Sequence, residues 1–81
     1  MPDAAAADLL AVVRLLVDEP KEAHVDIAAQ GSEQVLQIHV QSDDRGKLIG
    51  RRGRTIEALR ALAAVRGDRE GQSYEVEVLD D

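Results

Sequence analysis

The sequence predicts a small α+β domain in which three helices cover one face of a three-stranded mixed sheet, in the order α-β-β-α-α-β. Three segments alternate apolar and polar residues with a period of two, and two longer segments repeat apolar residues at helical spacing. A length of 81 residues suits one domain spanning residues 1–81. With no Phe or Trp and a single Tyr, its core must be aliphatic.

The first helix is predicted from Ala4 to Val17. Asp3 can cap its start, and Pro20 stops it near residues 18 and 19, because the residue before a proline disfavours helical backbone. Its apolar stripe consists of Leu9, Val12, Val13, Leu16 and Val17. We expect this helix to be structural.

Two strands follow, from His24 to Ala29 and from Gln34 to Val40. Gly31-Ser32 between them suits a two-residue hairpin turn, and this turn determines the register. The predicted pairs on the apolar face are Val25 with Ile38 and Ile27 with Leu36, and those on the polar face are His24 with His39 and Asp26 with Gln37.

A short helix is predicted next, ending near Ile49, with an N-cap available from Ser42, Asp43 or Asp44. Gly50-Arg51-Arg52-Gly53 interrupts it, since glycine allows sharp turns at little steric cost. A longer helix then runs from Arg54 to Val65. Its predicted buried stripe is Ile56, Leu59, Leu62 and Ala63, and its predicted solvent-facing residues are Glu57, Arg60 and Arg66.

The chain is predicted to end in a strand from Ser73 to Leu79, after a polar loop bracketed by Gly67 and Gly71. Tyr74, Val76 and Val78 face inward in this prediction. Two helices separate this strand from the preceding one, which favours a parallel, right-handed crossover.

The net charge of −6 conceals an uneven distribution. The segment from Arg45 to Arg69 holds eight basic residues against two acids, a local charge of +6, whereas the rest of the chain is strongly acidic. A basic block on an acidic body indicates a surface for an anion, although arginines also serve solubility on helices.

The stretch GKLIGRRGRT, from Gly46 to Thr55, concentrates this charge around two glycines. The glycines allow close approach of a ligand backbone, and the helix that follows begins with unpaired N–H groups and a positive dipole end. A phosphate could bind there with Arg51 and Arg52 beside it. Lys47, Arg54 and Arg60 could also reach phosphate or could simply be solvated, and Leu48, Ile49 and Ile56 could offer an apolar shelf for bases.

GKLIGRRGRT resembles the KH motif, in which a GxxG loop joins two helices and grips one nucleic-acid strand. The element order resembles the type II KH fold, and nearly the whole chain is similar to small bacterial KhpA-type stand-alone KH domains. LLVDEPKEAHVD resembles the family's link from the first helix to the first strand, DRGKLIGRRGRTIEALRAL its core, and SYEVEVLD its last strand.

This resemblance implies binding of single-stranded RNA, with the clamp at Gly50, Arg51, Arg52 and Gly53. By the same likeness, Gly46 and Lys47 belong to the preceding helix, Arg54 lies beside the loop, and Ile49 and Ile56 form the groove floor. It further implies RNA chaperone-like post-transcriptional control, homodimers or pairing with a larger Jag-type KH protein, and a link to cell elongation and division.

Two alternatives remain open from the sequence. One is a KH-fold protein-interaction domain without RNA binding. The two loop arginines argue against it, because a loop that no longer bound RNA would not need positive charge. The other is a helix-turn-helix DNA-binding domain, for which the helix before Gly50 is too short.

Other classes of function find little support. The hydroxyl residues lie at turns and caps, so we expect no enzyme, and the loop lacks the GxxxxGK[ST] spacing of a nucleotide triphosphate site. The absence of cysteine excludes thiolate ligands, and His24 with His39 has only Asp26 or a nearby glutamate to complete a metal site, so a solvated polar face is expected there. No cofactor, signal peptide or membrane span is expected, and the expected location is the cytoplasm.

Overall fold

The computed structural model describes residues 2–80 and confirms the predicted α+β architecture. Its helices are α1 (Pro2–Leu16), α2 (Arg45–Ile49) and α3 (Arg54–Glu70), and its strands are β1 (His24–Gln30), β2 (Glu33–Val40) and β3 (Ser73–Asp80). Short 3₁₀ turns lie at Pro20–Glu22, Ser42–Asp44 and Arg51–Gly53.

The sheet has the order β1-β2-β3, with β1 antiparallel and β3 parallel to the central strand. The predicted hairpin register is confirmed at every pair, including His24 with His39. Gln30 pairs with Glu33, so Gly31 and Ser32 form the two-residue turn, and Gly31 has the positive φ of 62° that such turns require.

One aliphatic core lies between the sheet and the three helices. On β2, Leu36, Ile38 and Val40 point into this core, although Val35 on the opposite face is also buried. The neighbouring strand β3 contributes Tyr74 and Val76. The least exposed large side chains are Leu36, Ile38, Leu48, Val13 and Val40, together with one charged residue, Asp44. The sheet's other face carries the polar pairs and Val35, and the helices described in residues 2–80 pack against the opposite face and leave this face uncovered.

The apolar stripes predicted for α1 and α3 include residues that the structure leaves partly exposed. On α1, Leu9 and Val13 are buried, but Val12 and Leu16 remain 36% and 38% exposed. On α3, Leu62 is 60% exposed although its neighbours Leu59 and Ala63 are buried. The helix also starts before the expected Asp3 cap, which places Asp3 inside the first turn. An apolar stripe predicts which face of a helix points toward the core, but the neighbouring elements determine how many of its residues are buried.

The polar loop predicted between Gly67 and Gly71 is wrong, because α3 continues to Glu70 and Gly71 caps it in a left-handed conformation. Gly67 is a buried residue inside the helix. A Cβ at Gly67 would lie 2.5 Å from the carbonyl oxygen of Gln72, whose N–H donates to the Gly67 carbonyl at 2.9 Å. The glycine therefore permits a close return of the chain into β3 and does not end the helix.

Candidate nucleic-acid interface

The GxxG loop is a compact turn built from positive φ angles. Gly50 has φ 76°, Arg52 has φ 58° and Gly53 has φ 73°. The Gly50 N–H closes α2 by donating to the Gly46 carbonyl at 2.9 Å, and the Gly53 N–H donates to the Gly50 carbonyl at 3.2 Å. The chain thereby reverses between two helices within four residues.

Gly50 lies directly against the first turn of α3. A Cβ at this position would lie 2.3 Å from the Thr55 Oγ1 atom and 3.0 Å from the Thr55 backbone nitrogen. Real Cβ atoms essentially never approach another atom to 2.3 Å, and the positive φ is itself unfavourable for a side chain. Thr55 therefore leaves no room for a side chain at position 50.

The side chains of Arg51, Arg52 and Arg54 are exposed on this turn. They surround the beginning of α3, a 17-residue helix whose first N–H groups have no acceptor within the helix. The helix dipole and the three guanidinium groups have the same sign, so this end of the molecule attracts anions. The structure thus brings together the loop residues that the sequence predicted.

Lys47 differs from the loop arginines because it is already paired. Its ammonium lies 2.8 Å from the Asp18 carboxylate and 3.7 Å from the Asp44 carboxylate. These two ion pairs raise the pKa of Lys47, with the contact to Asp18 contributing most. Contact between Lys47 and phosphate stays a prediction, and it would compete with this pairing.

Asp44 is the residue whose role the sequence did not reveal. None of Ser42, Asp43 and Asp44 makes the expected cap hydrogen bond. The buried Asp44 carboxylate instead accepts hydrogen bonds from the backbone N–H groups of Asp18 at 3.1 Å and Glu19 at 2.9 Å. It therefore holds the end of α1 against the start of α2, just before the loop.

The environment of Asp44 favours its charged form. Burial raises the pKa of this carboxyl, but the hydrogen bonds from Glu19 and Asp18 and the neighbouring Lys47 ammonium together outweigh burial and leave the pKa below its ordinary value. The group is thus a buried carboxylate that stays charged, and it adds to the pairing of Lys47 with Asp18.

The apolar shelf near the loop is smaller than expected. Leu48 is fully buried and Ile56 only 7% exposed, so both serve mainly the core, while Ile49 is half-buried. Gly46 is exposed, and nothing lies within 4 Å of a Cβ placed there. The accessible surface beside the arginines is therefore formed by Gly46 and Ile49.

Much of the remaining basic block is neutralised inside the protein. Arg60 pairs with Glu57 at 2.8 Å, and Arg66, which we expected to face water, pairs with Asp8 of α1 and with Glu70. Of the eight basic residues in this block, only Arg51, Arg52 and Arg54 lie around the loop, so the sequence overstates the charge at the candidate site.

Residues 6–78 match the family model described as "KhpA/KhpB, KH domain". The chain is similar to the RNA-binding protein KhpA of Mycobacterium leprae, with 44% identity over 85% of this chain and 82% of the relative. It is also similar to the KhpA proteins of Leifsonia xyli, at 38% over 94% and 97% of the two chains, and of Treponema pallidum, at 36% over 85% and 86%.

Among solved structures, the chain is similar to Era of Aquifex aeolicus, with a TM-score of 0.63 and 17% identity. The match covers 95% of this chain and 30% of Era, and it shows a shared fold only. Within residues 2–80, none of the helices is both long and apolar enough to cross a bilayer.

Proposed function

The chain belongs to the KhpA/KhpB family of KH domains, and from this premise we propose that it binds single-stranded RNA through its GxxG loop. The family is not enzymatic, which confirms the expectation that the chain is not an enzyme. The observation that carries the proposal is the exposed Arg51-Arg52 turn at the beginning of α3, next to Gly46 and Gly53, around which no atom crowds the position of a side chain.

The proposed mechanism is a clamp on phosphates. Backbone N–H groups at the start of α3 and the guanidinium groups of Arg51, Arg52 and Arg54 hold the RNA backbone, over about four nucleotides in a KH site. Gly46 and Gly53 leave room for that backbone, and bases lie toward Ile49 and the residual edge of Ile56. Recognition of this kind has little preference for sequence, since phosphates are the same in every RNA.

The test is fluorescence anisotropy with a short labelled single-stranded RNA. We expect Arg51→Gln/Arg52→Asn to weaken binding roughly tenfold, because two phosphate contacts are lost. Asn suits position 52 because it tolerates a positive φ. For the wild type, neutralising two or three phosphates predicts a log–log salt slope of roughly −1.5 to −2, which the variant should reduce.

Ser32→Glu/Gln72→Glu is the matched control. It changes the net charge by the same two units at exposed positions, in the β1–β2 turn and just before β3, whereas the GxxG loop follows the other end of β2. Circular dichroism checks that each variant is folded. If both variants weaken RNA binding equally, the loss reflects net charge and not the loop. If the wild type does not bind RNA, the chain is instead a KH-fold domain that binds proteins. Preference for double-stranded DNA in competition would favour the helix-turn-helix alternative.

We further propose that the chain acts as a dimer or with a larger Jag-type KH protein, as a cytoplasmic, RNA chaperone-like regulator linked to cell elongation and division. A single small site binds weakly, and a second linked site raises affinity through effective concentration. An apolar groove of about 280 Å³ between α1 and α3 supports a partner, since Leu62 and Val65 on its rim are 60% and 54% exposed.

Sedimentation equilibrium tests self-association. A wild-type dimer that Leu62→Glu converts into monomer would support the homodimer, with Leu15→Glu as control because Leu15, 85% exposed on α1, is not part of the groove. A monomeric wild type would exclude the homodimer and leave only the larger partner, to be sought by co-purification.

A further inference from the structure

The uncovered face of the sheet carries a three-residue cluster outside the RNA site. His24 and His39 lie opposite each other in the β1–β2 register, and Asp26 follows His24 by two residues on the same face. These are the only two histidines of the chain. The sequence offered Asp26 or a nearby glutamate as a further ligand for this pair and favoured a solvated polar face, and the structure places Asp26 beside both rings.

The atoms of this cluster are spaced as metal ligands are. The Asp26 Oδ2 atom lies 3.1 Å from His39 Nε2 and 3.7 Å from His24 Nε2, and one donor atom from each residue lies within 4.8 Å of the others. Zinc bonds of about 2.0–2.2 Å place neighbouring ligands of a tetrahedral ion about 3.3 Å apart. The three donors therefore lie close enough for side-chain rotation to bring them around one ion.

We propose that His24, Asp26 and His39 bind one Zn²⁺ ion on the uncovered face of the sheet. Two imidazoles and one carboxylate are typical ligands of zinc, and three protein ligands leave a fourth position for water. The net charge of −6 adds a general attraction for cations.

The backbone supplies most of the geometry. The ladder between β1 and β2 holds the three Cα positions, and His39, whose side chain is 17% exposed, is the anchored ligand. The two rings are stacked with centroids 4.3 Å apart and planes 6° from parallel. Parallel rings direct their nitrogen lone pairs along parallel planes, so binding one zinc ion requires the His24 ring to tilt. This ring can move, because its side chain is 53% exposed and His24 is the first residue of β1.

Isothermal titration of untagged protein with Zn²⁺ tests the site. The pH is kept above the ordinary imidazole pKa of about 6.5, because only the neutral ring binds a metal. We expect one ion per chain, an increase in Tm on addition of zinc, and perturbed NMR signals from both imidazole rings.

The variants His24→Gln and Asp26→Asn should each weaken the affinity at least tenfold. Glu75→Gln is the matched control, since it removes an exposed carboxylate from β3 of the same sheet and should leave the affinity unchanged. Circular dichroism verifies the fold of each. No heat of binding, equal binding by all variants, or one ion per two chains would each overturn the three-ligand site.

Discussion

Arg52 occupies a backbone conformation that few side chains adopt. Its φ of 58° and ψ of 25° lie in the left-handed region, which costs a non-glycine residue roughly 1–2 kcal/mol. Glycine or asparagine would avoid that cost, yet the position holds an exposed arginine beside Arg51. Strain of this kind at an exposed, charged turn supports a binding role for the loop.

Gly50 and Gly46 provide a direct test of the loop geometry. Gly50→Ala should lower the free energy of unfolding by about 2 kcal/mol, because the new Cβ meets Thr55 and the positive φ disfavours alanine. Gly46→Ala should instead raise it by up to about 1 kcal/mol, since Gly46 is helical with open space around it. Urea unfolding measures both.

The same pair of variants separates stability from binding. If RNA passes over Gly46, the stable Gly46→Ala protein should bind RNA more weakly than the wild type in anisotropy. A Gly50→Ala protein as stable as the wild type would show that the contact with Thr55 is not the constraint. Unchanged RNA affinity of Gly46→Ala would place the RNA backbone away from α2.

At the scale of elements, Asp44 connects the end of α1 to α2. Its carboxylate accepts two backbone hydrogen bonds from residues 25 and 26 positions earlier in the chain, and it also faces Lys47. The short helix α2, only five residues long, cannot be stable by itself. We infer that this attachment and the burial of Leu48 together position the helix that leads into the loop.

Asp44→Asn should lower the Tm at neutral pH, because an amide oxygen can replace only one of the two acceptor atoms. The pKa of Asp44 is lower in the folded protein than its ordinary value of 3.8, so its contribution is fully present above that value and is lost as the pH falls toward the folded pKa. The difference in Tm between wild type and variant should therefore narrow below about pH 4.

Thermal unfolding followed by circular dichroism over this pH range measures the effect. Asp43→Asn is the control, since Asp43 is exposed and adjacent, and it should change the Tm little at any pH. A difference that stays constant from neutral pH to strongly acidic pH would contradict the assigned role of the carboxylate charge.

Across the whole molecule, the charges are segregated. Three exposed arginines, Arg51, Arg52 and Arg54, lie together at the loop, while acids such as Glu75 and Glu77 lie on β3 and face solvent. An acidic body repels the parts of a polyanion that are not held by the clamp. We propose that this arrangement confines RNA to the loop and limits non-specific binding.

Neutralising those acids tests this proposal. Glu75→Gln/Glu77→Gln should raise the affinity for unrelated RNA about twofold to threefold at low salt, an effect that screening removes at high salt. Glu75→Asp/Glu77→Asp retains the charge and serves as control. Unchanged affinity of the neutral variant in anisotropy would mean that the acidic body does not restrict binding.

The confirmed predictions rest on local signals. Strand alternation and the two-residue turn at Gly31-Ser32 involve neighbouring residues, so the register of His24 with His39 could be derived from the sequence. The GxxG spacing likewise placed the candidate loop between two helices.

The order of elements, the hairpin register and the family could all be predicted from the amino-acid sequence. Four features became visible only in the folded chain: Lys47 pairs with Asp18, Asp44 binds the end of α1, Gly67 lies inside a helix, and Leu62 is exposed. Periodicity and turn chemistry act between neighbours in the chain, whereas ion pairs, close backbone contacts and burial depend on residues that folding brings together from distant positions.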